Sequence, residues 1–294
     1  MNTLINEITI IIILYEEDEN LVLRCLENLK NFKLVIVDNS GNRPLREKVE
    51  KKYKIYKYIL NKKNLGYSKA ANQAIKIADT EFILMFQADG IIEPQDISKL
   101  LEAHKKYHNT FIVSPTFFDA DKNLTYNSGS FPEKYLEMTA IAIKGDICAE
   151  QVLGSIIMFK KKDILEIGLY DENFFLYFLD SDLCRRIRDK KKAVIQVLDA
   201  KATHSHGHIK VHNPLKRVFL RHFNFTFDEL YYFYKIKKHE KLFGELKKKI
   251  PKYSVKLILN LMILRLDRVI YFFSKIMAFY EFKKFLNKKK ILSK

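Results

Sequence analysis

The sequence contains few of the residues that mark several common classes of protein. It has nine glycines, six prolines and no tryptophan among 294 residues, while 48% of the residues are hydrophobic. This composition excludes collagen-like and low-complexity chains and is typical of a globular protein with a buried core. The three cysteines lie far apart and form no Cys-x-x-Cys pair. We therefore expect no disulfide framework, no thiolate zinc site and a reducing compartment.

Long apolar runs and glycine-rich nucleotide motifs are also missing. The run Ile8–Leu14 is too short to span a membrane and is flanked by acidic residues rather than a cleavage site, so it indicates a buried strand and not a signal peptide. Neither Gly-x-Gly-x-x-Gly nor Gly-Lys-Ser/Thr occurs. The sequence thus predicts neither a dinucleotide fingerprint nor a P-loop.

The first two thirds of the chain alternate apolar runs with segments of helical period. This alternation is typical of βαβ units around a mainly parallel sheet. Residues 116–144 lack a clear period and are predicted to form a long loop region with short strands. Predicted strands cover residues 8–14, 33–37, 56–60, 82–86, 110–113, 152–159 and 193–198, and predicted helices cover residues 20–29, 67–78, 94–106 and 161–167. A further ordered segment is predicted over residues 171–189. The sequence therefore predicts an α/β domain over residues 1–212 and a helical region over residues 213–294.

Acidic residues recur where predicted strands end. Asp38 follows "LVIV", Asp89 follows "FILMFQA", and Asp180 and Asp182 lie within "FFLYFLDSDLCRRI". Taken singly, each is as well explained as a turn or helix-cap residue. Because the carboxyl ends of parallel strands face the ligand crevice of an open α/β sheet, their recurrence favours one shared site. Clustered carboxylates there favour a divalent metal with phosphate oxygens.

Two further segments are candidates for anion or metal binding. In "NKKNLGYSKAANQAI" a helix is predicted to begin next to Gly66, where free backbone N–H groups suit an anion; the alternative is an ordinary glycine turn. In "ATHSHGH" the residues His204, His206 and His208 alternate, so an extended backbone places them on one side. Three histidines in that pattern favour metal or phosphate contact over an ordinary surface role.

As an ordered set, these motifs resemble inverting family 2 glycosyltransferases of the GT-A type, a group that includes bacterial rhamnosyltransferases and other cell-surface polysaccharide enzymes. The resemblance covers roughly residues 8–209. It rests on "IIIILYEEDE", "LVIVDNSG", "NLGYSKAANQAI", "FILMFQADG", "VLGSIIMFKKKDILEIGLYDENFFLYFLDSDLCRRI" and "THSHGH". It implies a GT-A catalytic domain with a nucleotide-sugar donor.

The resemblance also assigns roles on the donor side. It implies that Tyr15 and Asp38 border the nucleotide base and that Asp89, the last acid of the family's Asp-x-Asp motif, binds Mg²⁺ or Mn²⁺. Either His204 or His206 corresponds to a further metal or phosphate ligand. Gln87 departs from the motif, because many members have an acid or Asn there. We therefore expect the enzyme to depend on a metal ion that is bound by one carboxylate fewer than in those members. The remaining donor-site residues implied are Asn64, Gly66, Asn72 and Gln87.

On the acceptor side, Asp180 is implied as the general base, because inversion needs a carboxylate opposite the departing nucleotide. Leu179 replaces the acid that usually begins this motif. Asp182 or Arg185 is expected to position Asp180 or the acceptor, although an ion pair or helix cap explains Asp182 equally well. Gly154 is expected to allow close approach of the acceptor, with a strand bulge as the alternative.

Basic residues are concentrated at the end of the chain. Residues 235–294 hold 18 Lys and Arg against 4 Asp and Glu, a net +14 of the total +17. The apolar segment 254–280 carries charges that are costly in hydrocarbon, so we expect helices lying on an anionic membrane surface. A helical subdomain packed on the core is the alternative. Nucleic acid is disfavoured as a partner, because no recognised motif accompanies the basic residues.

The expected protein is a cytoplasmic, membrane-peripheral enzyme of bacterial surface glycan synthesis. It transfers a sugar from a UDP or dTDP donor, with dTDP-rhamnose as a candidate, to a lipid-linked or polysaccharide acceptor. A sugar-nucleotide pyrophosphorylase is disfavoured, because "YEEDEN" occupies the place of its glycine-rich loop. A non-catalytic membrane or nucleic-acid binding protein on a degenerate transferase scaffold is the other alternative.

Overall fold

The computed structural model describes residues 2–119, 121–125, 128–137, 145–204 and 213–292. By its contacts the chain forms two compact units. The α/β unit comprises Met1–Glu172 and Leu179–Lys210, and the helical unit comprises Asn173–Phe178 and Val211–Lys294. The assignment of these units as a catalytic domain and a membrane-associated region stays a proposal.

The α/β unit alternates strands and helices along its first half. Its strands are β1 (Ile8–Leu14), β2 (Lys33–Asp38), β3 (Lys57–Leu60), β4 (Phe82–Phe86), β5 (Gly90–Ile92), β6 (Thr110–Phe118), β7 (Leu124–Thr125), β8 (Ser128–Gly129), β9 (Ile147–Ala149), β10 (Gln151–Val152), β11 (Ile156–Lys160) and β12 (Ala193–His204). Its helices are α1 (Asn2–Glu7), α2 (Glu19–Leu29), α3 (Arg43–Lys52), α4 (Tyr67–Ile77), α5 (Pro94–Lys106), a 3-10 helix (Pro132–Glu137), α6 (Lys161–Glu166) and α7 (Leu179–Asp189).

The central sheet has the order β3-β2-β1-β4-β11-β6-β12-β5. Parallel pairs join β3 to β2, β2 to β1, β1 to β4 and β6 to β12, whereas β11 and β5 are antiparallel to their neighbours. β1 and β4 are apolar along nearly their whole length and almost completely buried, as strands covered on both faces must be. The α/β architecture is confirmed, and the sheet is mixed, with parallel pairing along β3-β2-β1-β4 and between β6 and β12 and antiparallel pairing elsewhere.

The structure differs from the sequence-based elements in several places, for example in the length of β6, which continues to Phe118 and not only to residue 113. The single strand predicted over residues 152–159 is interrupted, since β10 ends at Val152 and β11 begins at Ile156. The last predicted strand does not end at residue 198 but continues to His204, because its second half pairs with β5. Helix α3 was not predicted, because its charged sequence buries only Leu45 and Val49.

The helical unit is built from long helices and one short loop. α10 packs against both α8 and α9. Asp228, fully buried in α8, accepts hydrogen bonds from the backbone N–H groups of Phe175, Leu176 and Tyr177 at 2.8–3.2 Å. The loop formed by residues 173–178 is thereby fixed to the helices. The helices are α8 (Pro214–Lys235), α9 (His239–Met262) and α10 (Leu266–Leu292). The expected helical C-terminal region is therefore confirmed.

In the part of the chain that the structure describes, the helices are too short or too polar to cross a bilayer.

Candidate active site

The carboxyl ends of β1, β2 and β4 bring the donor-side residues to one edge of the sheet. The register pairs Leu14 with Asp38 and Ile12 with Phe86. Tyr15 follows β1, Asp38 ends β2, and Gln87 follows β4. These positions are adjacent because the three strands are parallel neighbours, which is the arrangement that the acidic strand ends predicted.

Asp38 is fully buried at the end of β2. Its Oδ1 accepts a hydrogen bond from the Ser40 backbone N–H at 2.7 Å and from the Ser40 hydroxyl at 2.5 Å, and its Oδ2 accepts one from the Tyr58 hydroxyl at 3.1 Å. The carboxylate is therefore held in one orientation by its own strand end and by β3. Its contact with a nucleotide base stays a prediction.

Glu17 lies beside the candidate donor-side residues Tyr15, Asp38 and Asp89, although its sequence pattern did not single it out. Its carboxylate accepts a hydrogen bond from the Tyr15 backbone N–H. Burial raises the pKa of Glu17 to about 7, and the nearby charges of Asp38 and Asp89 add to the rise. The charges of Asp38 and Asp89 thus reach the Glu17 carboxyl group at this edge of the sheet. The available signal was the acidic run "YEEDEN", where a carboxylate directly follows the first strand.

The loop before α4 is tied to the end of β2. Gly66 has φ +84°, a conformation that residues with a Cβ rarely adopt. Its N–H donates to Asn64 Oδ1 at 2.9 Å, and its carbonyl accepts from Asn39 Nδ2 at 3.2 Å. The glycine is therefore required by the turn itself, and the first turn of α4 is fixed beside β2.

Asn72, predicted to lie on the donor side, forms hydrogen bonds to the main chain of another segment. It is 2% exposed, its Nδ2 donates to the Tyr170 carbonyl at 2.9 Å, and its Oδ1 accepts from the Tyr170 N–H at 3.0 Å. Nδ2 also donates to Glu172 Oε1 at 3.1 Å. The amide thus fixes the segment around Tyr170 to α4, and its predicted contact with a ribose or diphosphate is untested.

Asp89 and His204 meet because β12 pairs with β5. The register places His204 opposite Gly90, and His204 Nε2 lies 3.3 Å from Asp89 Oδ1 and 3.1 Å from Gln87 Oε1. Both His204 and Asp89 are partly exposed. Sequence analysis left the choice between His204 and His206 open; the structure brings His204 to Asp89, and His206 lies outside the described residues.

This group of donors fits a hard divalent cation. Two neighbouring ligands of an octahedral ion, each about 2.1 Å from the metal, lie about 3 Å apart. The separation of 3.3 Å between Asp89 Oδ1 and His204 Nε2 is close to that value. Carboxylate and amide oxygens suit Mg²⁺ and Mn²⁺. A cluster of three or more His, Cys, Asp or Glu ligands does not occur in the described ranges.

Asp180, near the start of α7, lies against the backbone of Gly154. Its Oδ2 accepts a hydrogen bond from the Gly154 N–H at 3.1 Å, and a Cβ on Gly154 would lie 2.3 Å from Asp180 Oδ1. Burial raises the pKa of Asp180 to about 6, although the Gly154 bond opposes this rise. The turn at Gly154 that interrupts the predicted strand therefore makes room for this carboxyl group.

The other charged residues of α7 bind neighbouring segments. Asp182 is buried and pairs with Arg186 at 3.0 Å, and Arg186 also donates to two carbonyl oxygens of the α6–α7 connection. The Arg185 guanidinium pairs with Glu133 and lies 4.2 Å from the Phe131 ring centroid. The ion pair that sequence analysis kept as an alternative for Asp182 is present, and Arg185 orders the segment around the 3-10 helix.

Comparison with known proteins identifies the family. Residues 9–164 match the family model described as glycosyl transferase family 2, which is more than half of the chain. The chain belongs to glycosyl transferase family 2. The resemblance drawn from the ordered motifs is thereby confirmed, and the match ends before α7.

Two curated relatives of this family 2 chain extend the match. It is 26% identical over 204 residues to the dTDP-rhamnosyl transferase RfbF of Shigella flexneri, covering 65% of this chain and 68% of the relative. It is 28% identical over 214 residues to the low-salt glycan biosynthesis hexosyltransferase Agl10 of Haloferax volcanii, covering 67% of each.

A solved structure supports the fold of this family 2 chain. The crystal structure of GalNAc-T7 with UDP, GalNAc and Mn²⁺ superposes with a TM-score of 0.56 at 14% identity. The match covers 69% of this chain and 44% of that protein, so this chain spans less than half of its length. At this identity the likeness shows the GT-A type of fold and no more.

Proposed function

We propose that the protein transfers a sugar, with inversion, from a nucleotide-diphosphate donor to a hydroxyl group of a glycan. The observation that carries this proposal is the Asp180 carboxyl group, which is pressed against Gly154 with its Oδ1 unpartnered among the described residues. Membership of family 2 supplies the class of reaction. The relatives named for dTDP-rhamnosyl and hexosyl transfer support a dTDP or UDP donor, with dTDP-rhamnose as a candidate.

Asp180 is suited to act as the general base. The acceptor hydroxyl gives its proton to the Asp180 carboxylate while its oxygen forms a bond to the anomeric carbon. The bond from that carbon to the diphosphate oxygen breaks, and its electron pair leaves with the nucleoside diphosphate. Attack opposite the leaving group inverts the anomeric centre. A pKa of about 6 leaves the carboxylate ionised at neutral pH and more basic than an ordinary Asp.

Asp89, His204 and Gln87 would hold a divalent cation, Mg²⁺ or Mn²⁺, beside the diphosphate. When bound, such an ion supplies positive charge that neutralises the departing diphosphate. The side chains of Asp89 and His204 are already positioned by β5 and β12. The presence of Mn²⁺ and UDP in the GalNAc-T7 crystal structure supports the same ligand chemistry here.

Tyr15, Asp38, Asn64 and Gly66 are proposed to form the donor site. The base would lie against the ends of β1 and β2, and the phosphates would lie near the first turn of α4, whose free N–H groups favour an anion. Asn72 is proposed to act indirectly, by holding the Tyr170 segment against α4. Its amide is already occupied by that main chain.

Thermal stabilisation by nucleotides tests the donor site without knowledge of the acceptor. Ligand binding to the folded state raises the melting temperature by mass action. We expect UDP or dTDP with Mn²⁺ to stabilise the wild type and to lose that effect in Asp89→Ala. Asp79→Ala, which removes a half-exposed surface ion pair with Lys33, is the matched control and should keep it. A folded wild type that responds to none of UDP, dTDP, GDP and CDP contradicts the proposal and favours a non-catalytic binding protein.

We further propose that the helical unit binds an anionic membrane surface at the cytoplasmic side, as an enzyme of lipopolysaccharide or capsule synthesis would. The feature that supports it is the hairpin tip, residues 255–266, where α9 ends and α10 begins. Eight of its apolar side chains are 47–79% exposed. They are Val255, Ile258, Leu259, Leu261, Met262, Ile263, Leu264 and Leu266. Exposed apolar patches of this kind mark interaction sites.

Charge selects an anionic bilayer as the occupant of the hairpin tip. Residues 247–268 carry seven Lys and Arg and a single Asp. Basic side chains near such a surface contribute about 1 kcal/mol each by attraction to anionic lipid, and apolar side chains add to this when they enter the interface. A lipid-linked acceptor would be presented at the same surface.

Vesicle flotation tests the membrane proposal. The protein should float with phosphatidylglycerol-containing vesicles and stay behind with pure phosphatidylcholine vesicles, because attraction depends on lipid charge. Leu264→Glu should abolish flotation, whereas Leu165→Glu, at an exposed leucine of α6, should leave it intact. Equal flotation of both variants contradicts insertion of the hairpin tip. A salt-independent dimer that dissociates in Leu264→Glu would assign the surface to a second copy instead.

A further inference from the structure

Three unpartnered polar atoms belong to side chains that act on one another within the α/β unit. The hydroxyl oxygens of Tyr67 and Tyr170 and Oδ1 of Asp180 are buried and have no hydrogen-bond partner among the described residues. The two rings meet edge to face with centroids 6.1 Å apart, and the Asp180 charge acts on both phenols. Buried polar groups without partners are rare because each has lost its hydrogen bonds to water.

Three different elements hold these groups in place. Tyr67 is the first residue of α4, directly after the Gly66 turn. The main chain of Tyr170 is bonded on both sides to the Asn72 amide, and Asp180 is fixed by the Gly154 N–H. The two phenol oxygens and Asp180 Oδ1 gain no hydrogen bond within the described residues from this arrangement, whereas Asp180 Oδ2 accepts the one from Gly154.

The two phenol groups are hydrogen-bond donors. Burial raises the pKa of Tyr67 and of Tyr170, and the Asp180 charge raises both further, so they stay protonated. Phenylalanine would fill the same space without loss of hydrogen bonds to water. Tyr67 and Asp180 keep part of their residue surface exposed, whereas Tyr170 is buried, and the three unpartnered polar atoms themselves are all buried.

We propose that Tyr67, Tyr170 and Asp180 form a subsite for the hydroxyl groups of a sugar ring. The phenols donate to hydroxyl oxygens of the ring, and Asp180 accepts from the hydroxyl that reacts. Each hydroxyl group of a sugar ring can both donate and accept a hydrogen bond. Adjacent ring hydroxyls can therefore accept from the two phenols and donate to the carboxylate. The proposal rests on the transfer reaction proposed above, since it places the subsite at the general base.

Stability separates a subsite from ordinary packing. Tyr170→Phe and Tyr67→Phe remove one unpartnered oxygen each and keep the ring, so both variants should melt at or above the wild-type temperature. Tyr53→Phe is the matched control, because the Tyr53 hydroxyl lies 3.1 Å from both the Leu23 carbonyl oxygen and the Glu27 carboxylate of α2, to which it donates. It should melt lower. If Tyr170→Phe is destabilised like Tyr53→Phe, the hydroxyl has a structural partner and the proposal is wrong.

Binding supplies the decisive readout. Methyl α-L-rhamnoside and methyl β-D-glucoside are titrated into the nucleotide-loaded protein and followed by ligand-observed NMR. Tyr170→Phe and Tyr67→Phe should each weaken glycoside binding about two- to tenfold, the effect of one lost hydrogen bond, and Tyr53→Phe should not.

The same samples distinguish this proposal from the transfer reaction itself. Nucleotide stabilisation should be unchanged in all three variants, because the phenols are assigned to the acceptor. If nucleotides do not raise the melting temperature of the wild type, the proposed transfer reaction is contradicted. If nucleotides still stabilise the wild type but the glycosides do not bind, the subsite alone is wrong. The same holds if the wild type and both phenylalanine variants bind the glycosides equally well.

Discussion

Gly154→Ala is the substitution whose effect follows most directly from the structure. A Cβ at this position would lie 2.3 Å from Asp180 Oδ1 and 2.8 Å from its Cγ. A carbon and an oxygen that are not bonded need about 3.2 Å or more, so the carboxyl group must shift by about 1 Å. Asp180 is held by the Gly154 N–H, so the shift also weakens that hydrogen bond.

The displacement should affect catalysis more than folding. A reacting group misplaced by about 1 Å costs on the order of 100-fold in rate. Overpacking of this size destabilises a protein by about 1–3 kcal/mol. Nucleotide stabilisation should persist, because the donor residues lie on other strands.

Gly244→Ala is the matched control. It lies inside α9 with no atom within 4 Å of the added methyl group, so it should keep full activity and gain up to about 1 kcal/mol. Activity is measured as the release of nucleoside diphosphate from nucleotide-sugars, and the free energy of unfolding is measured by urea titration. Full activity in Gly154→Ala would refute the close packing of Asp180 against Gly154 as the reason for this glycine.

The remaining predictions concern buried carboxyl groups. Since Asp180 must be ionised to accept a proton, activity should fall about tenfold per pH unit below its pKa of about 6. A rate that does not change between about pH 5 and 7, measured with the donor kept saturating, would contradict this. Because its pKa is raised in the folded state, the protein should lose stability as pH rises from about 4 to 6, and urea titrations should show less of this loss in Asp180→Asn. Asp228→Ala leaves three backbone N–H groups without their acceptor and should cost about 2–4 kcal/mol in urea unfolding. Asp267→Ala, at an exposed position in the same unit, should cost less than about 1 kcal/mol, and equal effects of the two would contradict the structural role of Asp228.

Sequence patterns predicted the features that depend on local periodicity. β1, β2 and β4 are apolar runs that end in polar residues, and their parallel pairing places those ends side by side. The proximity of Asp89 and His204 had only weak support, because it depends on antiparallel pairing between segments more than 110 residues apart. The ordered motifs made up for this through family resemblance.

Contacts between distant segments were not predictable. Three sets of hydrogen bonds join residues that are far apart in the chain. They link Asp180 to Gly154, Asn72 to Tyr170, and Asp228 to residues 175–177. No pattern of spacing specifies such pairs. Glu17 was missed for a related reason, since its burial depends on the neighbouring strand ends and not on its own acidic segment.

Transfer by an Asp180→Asn variant tests the central claim most directly. The purified protein, Mn²⁺ and UDP- or dTDP-sugars are incubated with a lipid extract of the organism that makes the protein, and nucleoside diphosphate release is measured. The account predicts release by the wild type, and at least about 100-fold slower release by Asp180→Asn with unchanged nucleotide stabilisation. Asp182→Asn, which alters the pair with Arg186, should retain more activity than Asp180→Asn. Wild-type rates in Asp180→Asn would contradict the assignment of this carboxylate as the base.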